Sequence, residues 1–262
     1  MGLKNLRVWD YVHSLPPTTL PFPTTVPPLR SLTLIGKEMY GWIPWLTQER
    51  RGTFDIHGGP GGYFELGVTL TNLTFEGSVP IDAMFISPFF LLPNLTLLRS
   101  VLNCRELVGC GSSLTNKDVL QLSAALPRLE VLSLGAPCFN NACPTTVSCF
   151  LALSVHCKGL RGLDVHFNTI NLVNDIQTLS EDPDFRDLHS LQTRCSLSHI
   201  YVGDLPIPEG TSNEDITTIA TGLVNIFPSL SCVFAFGRLD WKPLNLRIRE
   251  LQATRSSALD RT

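Results

Sequence analysis

Charge is scarce in this chain of 262 residues: Lys, Arg, Asp and Glu make up 16%, against about 25% in an ordinary globular protein. Twenty cations and 23 anions leave a net charge of −3. So little charge excludes a self-repelling disordered polymer, and the absence of a cation excess leaves no nucleic-acid surface in the bulk composition. Long apolar runs are missing too, since no stretch approaches the roughly 18 uninterrupted apolar residues of a membrane helix. The opening Met1-Gly2-Leu3-Lys4-Asn5-Leu6 lacks the apolar run and cleavage site of a secretory signal. Leu6 stands where a myristoylation motif needs Ser or Thr. Neither nucleic acid nor membrane is therefore expected as a partner, and the expected setting is intracellular, cytoplasmic or nuclear.

Local catalytic signatures are absent as well. There is no H-E-x-x-H, no G-x-S-x-G, no paired C-x-x-C and no kinase signature. The run His57-Gly58-Gly59-Pro60-Gly61-Gly62 lacks both phosphate-binding patterns, G-x-x-x-x-G-K-[ST] and G-x-G-x-x-G, and reads as a flexible loop. No cofactor and no catalytic residue are expected. The eight cysteines, at 104, 110, 138, 143, 149, 157, 195 and 232, also lack a C-x2-C knuckle. Cys138, Cys143 and Cys149 with His156 or Cys157 form the sharpest zinc alternative. Their spacing and the apolar neighbours, as in Ser148-Cys149-Phe150-Leu151, instead favour reduced, buried thiols and no metal.

What is present is a repeat. Apolar residues recur at positions 1, 4 and 6 of a short phrase: Leu3/Leu6/Val8, Leu29/Leu32/Leu34, Leu70/Leu73/Phe75, Leu95/Leu98/Ser100, Leu129/Leu132/Leu134, Leu160/Leu163/Val165, Leu197/Ile200/Val202 and Leu230/Val233/Ala235. Ser100 and Ala235 are the weak members. Positions 4 and 6 alternate with 3, 5 and 7, as in a strand buried on one face. Asn103 and Asn168 hold position 9, where a leucine-rich repeat uses an amide to bond the backbone of the turn. Successive phrases start 26, 41, 25, 34, 31, 37 and 33 residues apart, which leaves room for a helix between strands.

Helical patterns occupy those intervals. Thr115-Asn116-Lys117-Asp118 resembles a capping box and opens Val119, Leu122, Ala125 and Leu126 at helical spacing, with Pro127 as the stop. A second helix is expected from about Thr145 to Cys157, and a third from about Glu214 to Phe227 before Pro228. Pro93, Pro127 and Pro228 each stand two residues before the first leucine of a phrase, ending one helix and aiming the chain into the next strand.

The expected fold is therefore α/β: an irregular leucine-rich-repeat solenoid, a ribonuclease-inhibitor-like horseshoe with parallel strands on the concave face and helices on the convex face. A doubly wound sheet would instead show continuous Val/Ile runs. The solenoid spans 1–253, with a Pro-rich connector at 15–28 and the Gly-rich loop at 57–62. A closing helix covers Leu244 to Ala253, and a frayed tail follows at 254–262. The segment from Ser180 to Arg186 reads as a solvated acidic loop. Leu3 to Val8 is already strand, with nothing before it to cap the core. On the concave face the register places Arg7, Trp9, Glu76, Arg99, Val101, Asp164, His166, His199, Tyr201, Phe234 and Phe236. Tyr, Trp and Arg dominate protein interfaces, and an extended curved face suits a protein or peptide ligand better than a small molecule. A hydrolase site assembled in space near His166 and His199 is the alternative of another class.

These phrases resemble the F-box and leucine-rich-repeat proteins, particularly the large set of mushroom-forming fungi, most clearly over residues 90 to 250. The resemblance lies in Leu114-Thr115-Asn116-Lys117-Asp118-Val119 followed by Leu126-Pro127-Arg128-Leu129-Glu130-Val131-Leu132, and in the helix-to-strand junction Val155-His156-Cys157-Lys158-Gly159-Leu160. The late segments Tyr201-Val202-Gly203-Asp204-Leu205 and Ile226-Phe227-Pro228-Ser229-Leu230 share it. In that family an F-box helix bundle docks onto the adaptor of a cullin-RING ubiquitin ligase, and the repeats capture the substrate. The resemblance thus implies a non-catalytic module that binds a protein substrate. Leu15-Pro16-Pro17 leads into more prolines rather than F-box helices, so an adaptor is expected as partner only with an F-box upstream. A free-standing repeat scaffold unconnected with ubiquitin is the alternative.

Overall fold

A computed structural model describes residues 5–9, 30–36, 69–77, 81–102, 113–134, 144–181, 195–203, 205–235 and 238–259. The connector at 15–28, the Gly-rich loop at 57–62, Asn103, Cys104, Cys110, Cys138, Cys143 and Phe236 lie outside them. Each of the eight phrases forms a strand: β1 (Asn5–Trp9), β2 (Ser31–Gly36), β3 (Asn72–Gly77), β4 (Leu97–Leu102), β5 (Val131–Ser133), β6 (Gly162–Asp164), β7 (His199–Gly203) and β8 (Cys232–Ala235). They make one sheet in the order β1 to β8, with every pairing parallel. A doubly wound sheet departs from chain order at its switch point. Strict sequential order instead defines a solenoid-like α/β fold, in which each unit stacks on the one before it.

The register follows from the phrase. Position 4 of every copy is aligned across the sheet, from Leu6 through Leu32, Leu73, Leu98, Leu132, Leu163 and Ile200 to Val233. From Leu32 onward this row is buried, together with Leu34, Phe75, Leu134, Val165 and Val202 of position 6. Ser100 breaks the second row. It is buried like its neighbours, and its hydroxyl finds no hydrogen-bond partner among the described residues.

Between strands, six α-helices are described: α1 (Ala83–Ile86), α2 (Asn116–Ala125), α3 (Ser148–His156), α4 (Leu172–Glu181), α5 (Asn213–Ile226) and α6 (Lys242–Leu259). A 3-10 turn, Ser87–Leu91, extends α1. Thr115 and Ser212 close reciprocal capping boxes with Asp118 and Asp215, satisfying backbone donors at the starts of α2 and α5. The exits recur too. Leu95, Leu129, Leu160 and Leu230 each donate their backbone N–H to the carbonyl three residues earlier, so one tight turn leads into each of these strands.

Position-4 and position-6 side chains share one core with the buried faces of the helices. Phe75, Phe85 and Phe89 pack with ring centroids 5.2 to 5.3 Å apart. Phe150 meets Phe167 at 4.9 Å and Phe227 at 5.9 Å. The cysteines extend the stacking, since the Cys157 thiol lies against the Ser123 and Leu126 carbonyls and the Cys195 thiol against those of Cys157 and Leu160. Burial raises these thiols to about 12 and about 11.

The C-terminal end of the sheet is closed by α6. The Asn245 side chain accepts from the Val233 N–H and donates to the Val233 carbonyl, both at 2.8 Å, and so stands in for a ninth strand. Gln252 donates to the Pro228 and Leu230 carbonyls, Arg255 to the Val224 carbonyl, and the buried Trp241 indole to the Leu205 carbonyl at 2.7 Å. Two expectations are corrected by this end of the chain. The closing helix is longer than Leu244 to Ala253, and residues 254–259 are helical rather than a frayed tail, because Arg255 anchors that turn to α5. Ser180 and Glu181 likewise finish α4 instead of beginning a loop.

Candidate functional site

With positions 4 and 6 in the core, positions 3, 5 and 7 line the other face of the sheet. The position-5 row reads Arg7, Thr33, Thr74, Arg99, Ser133, Asp164, Tyr201 and Phe234. Beside it on the last four strands, position 3 reads Val131, Gly162, His199 and Cys232. Tyr201 and Phe234 are 39% and 42% exposed. Both rings therefore stand partly in water on this face.

These rings are organised. Phe234 stacks on Tyr201 with centroids 5.1 Å apart and planes 21° apart, and on His199 at 5.5 Å and 25°. Parallel pairing produces the Tyr201–Phe234 stack, because in-register residues of adjacent strands sit about 4.8 Å apart, while His199, in register with Cys232, meets Phe234 diagonally. His199 Nδ1 shares a 2.7 Å hydrogen bond with the Ser198 hydroxyl, which fixes the imidazole plane.

Asp164 is the in-register neighbour of Tyr201. Its Oδ2 accepts a hydrogen bond from the Ser133 hydroxyl at 2.9 Å, and its Oδ1 accepts none among the described residues. Burial pushes this carboxyl above its ordinary value, against the opposing pull of the Ser133 bond and the positive Arg99. Beside Asp164 along β6, Gly162 faces His199 and leaves the row without a side chain. A Cβ there would come only to 3.8 Å from Val131, an ordinary contact.

The predicted residues divide accordingly. Arg99, Val101, Tyr201 and Phe234 are exposed, and Glu76, Asp164 and His199 are half-buried. Arg7 and Trp9 belong to β1, opposite Thr33 and Ile35, with their side chains outside the described residues. Phe236 lies outside them altogether. His166 corrects the expectation: it is 4% exposed and does not share the open face with Asp164. Strand β6 ends at Asp164, so the alternation stops there. Val165, His166 and Phe167 are then all buried as the loop packs between neighbouring units, tied by Asn168 N–H to the Thr145 carbonyl and by the Thr169 hydroxyl to the Pro206 carbonyl. The Asn168 amide accepts from the Ile170 N–H, the turn-fixing bond expected of position 9.

His166 is buried, whereas His199 lies half-buried on the open face, where its ring bonds Ser198 and stacks on Phe234, with no carboxylate partner among the described residues. Among the described residues no group of three His, Cys, Asp or Glu side chains could hold a metal ion. None of the described helices is long and apolar enough to cross a membrane. Sequence reasoning passed over Ser133 and Gly162, although their positions in the phrase marked them. Neither side chain carries a charge or a ring, and the contribution of these two is a donated bond and an empty space.

The fold and this face define an α/β protein with one sequentially ordered parallel sheet that presents an aromatic and polar surface. No protein-family model matches the chain, and no curated protein matches it.

Proposed function

We propose that the chain is a non-catalytic leucine-rich-repeat module that binds another protein through the open face of its sheet. The observation that carries this reading is the half-exposed stack of His199, Phe234 and Tyr201 on in-register strands. Three rings on a rigid ladder supply contact area with little side-chain entropy left to lose, as interface anchors do. Horseshoe curvature, with this face concave, is part of the proposal. It rests on the eight-fold L-x-x-L-x-L phrase and on the sequential sheet it builds.

The test is capture from lysate of the source cells by the full chain, compared with the Tyr201→Ala/Phe234→Ala double variant. Loss of specific partners with an unchanged circular-dichroism melt is expected. Equal capture by both proteins would overturn the reading. With an F-box upstream, the resemblance to fungal F-box proteins would make the partner a substrate for ubiquitylation. Mapping the 5′ end of the transcript and the intact mass of the native product tests that part, through the presence or absence of an F-box in the same product.

A further inference from the structure

We propose, on the basis of the protein-binding reading above, that the open face takes an arginine side chain of the partner, its guanidinium stacked on Tyr201 and paired with Asp164. Strand β7 lies between β6 and β8. Phe234, on β8, covers one face of the Tyr201 ring and stacks on His199 as well. The opposite faces of those rings turn toward β6, where the in-register residues are Asp164 and Gly162. Gly162 contributes no side chain, so a notch is left beside the two rings. Asp164 stands at its end with Oδ1 unbonded and with no ion pair among the described residues, while Ser133 steadies Oδ2.

The shape and charge of this notch select a flat cation. A guanidinium is planar, stacks on aromatic faces and presents N–H donors at its edge, so it can lie against Tyr201 while donating to Asp164. An ammonium is strongly hydrated and donates without a plane, and it would leave the ring face unused. A nucleobase could stack there, but its phosphates would be brought toward Asp164 on a chain of net charge −3. Arg99 does not already fill the role. It sits on β4, two strands from β6, and its charge acts on Asp164 with no hydrogen bond between them among the described residues.

The test is selection of a random-peptide display library on the full chain, followed by calorimetry with the selected peptides as probes. Peptides sharing an arginine are expected. Replacing that arginine by lysine, or using Asp164→Asn, should weaken binding by about tenfold or more with the thermal melt of the protein retained. Arg99→Ala, which removes a like charge, should tighten binding a few-fold. Selected peptides that lose binding to Tyr201→Ala but tolerate lysine would overturn the arginine anchor and leave the binding face standing. Peptides indifferent to Tyr201→Ala and Phe234→Ala, or no selected peptides, would overturn both.

Discussion

Asp164 shows how burial of a single carboxyl can work against the stability of the fold. Its carboxyl titrates above the ordinary range chiefly because the folded chain withdraws it from water, with the Ser133 bond and Arg99 only partly compensating. For an acid whose folded pKa exceeds its unfolded one, the folded state binds more protons within that window. Stability therefore falls as pH rises through it, and the ionised form is the disfavoured one above it. Asp164→Asn, which can still accept from Ser133, should melt at the same or a higher temperature than the parent at pH 7. The difference should shrink as pH is lowered below the ordinary aspartate range. Thermal melts from pH 3 to pH 7 read this directly, and a variant clearly less stable at neutral pH would show that the carboxylate is a structural element rather than a reserved one.

At the scale of elements, legibility followed locality. The strands could be read because positions 4 and 6 obey a period of two within a few residues, and the burial of Leu98, Leu132 and Leu163 is that period made physical. Helices α2 and α5 could be read because Thr115/Asp118 and Ser212/Asp215 write their capping boxes into the sequence. Helix α4 carries no such box, since Asn174 stands where Asp118 and Asp215 stand in the other two, and it went unread despite Leu172, Ile176 and Leu179 on its buried side. The burial of His166 was not legible, because the end of β6 is set by packing of the following loop against Thr145 and Pro206, a contact across units. The packing of α4 on α5 supplies a test. A Cβ on Gly222 would lie 2.4 Å from Cγ2 and 2.8 Å from Cδ1 of Ile176. Gly222→Ala should therefore lower stability by about 1–3 kcal/mol, despite the better helix propensity of alanine. Ile176→Val in the same chain, which removes Cδ1 but keeps Cγ2, should recover only a minor part of the loss. Urea titrations of the two variants decide it, and a Gly222→Ala protein as stable as the parent would contradict so close an approach.

The whole molecule is a one-dimensional stack, so its stability depends on how its ends are finished. At the β8 end, Asn245 gives both bonds of a missing strand to Val233. Asn245→Leu keeps approximate side-chain size and leaves that N–H and carbonyl unpaired, at an expected cost of about 1–3 kcal/mol. Hydrogen exchange should then quicken first at Val233 rather than uniformly through the sheet. Equal exchange at Val233 in the two proteins would show that α6 shields this edge by covering it, without the amide.

The finished edge also constrains how such a chain can change in length over evolutionary time. A repeat duplicated beyond β8 would find its hydrogen-bonding row already taken by Asn245, and could join the array only by prising α6 away from Trp241, Gln252 and Arg255. A unit inserted between two existing strands meets no such obstacle, because each strand offers its successor the same register. Relatives of different length should therefore differ by whole units gained or lost in the interior, with the terminal β8–α6 pair kept together as an inherited block.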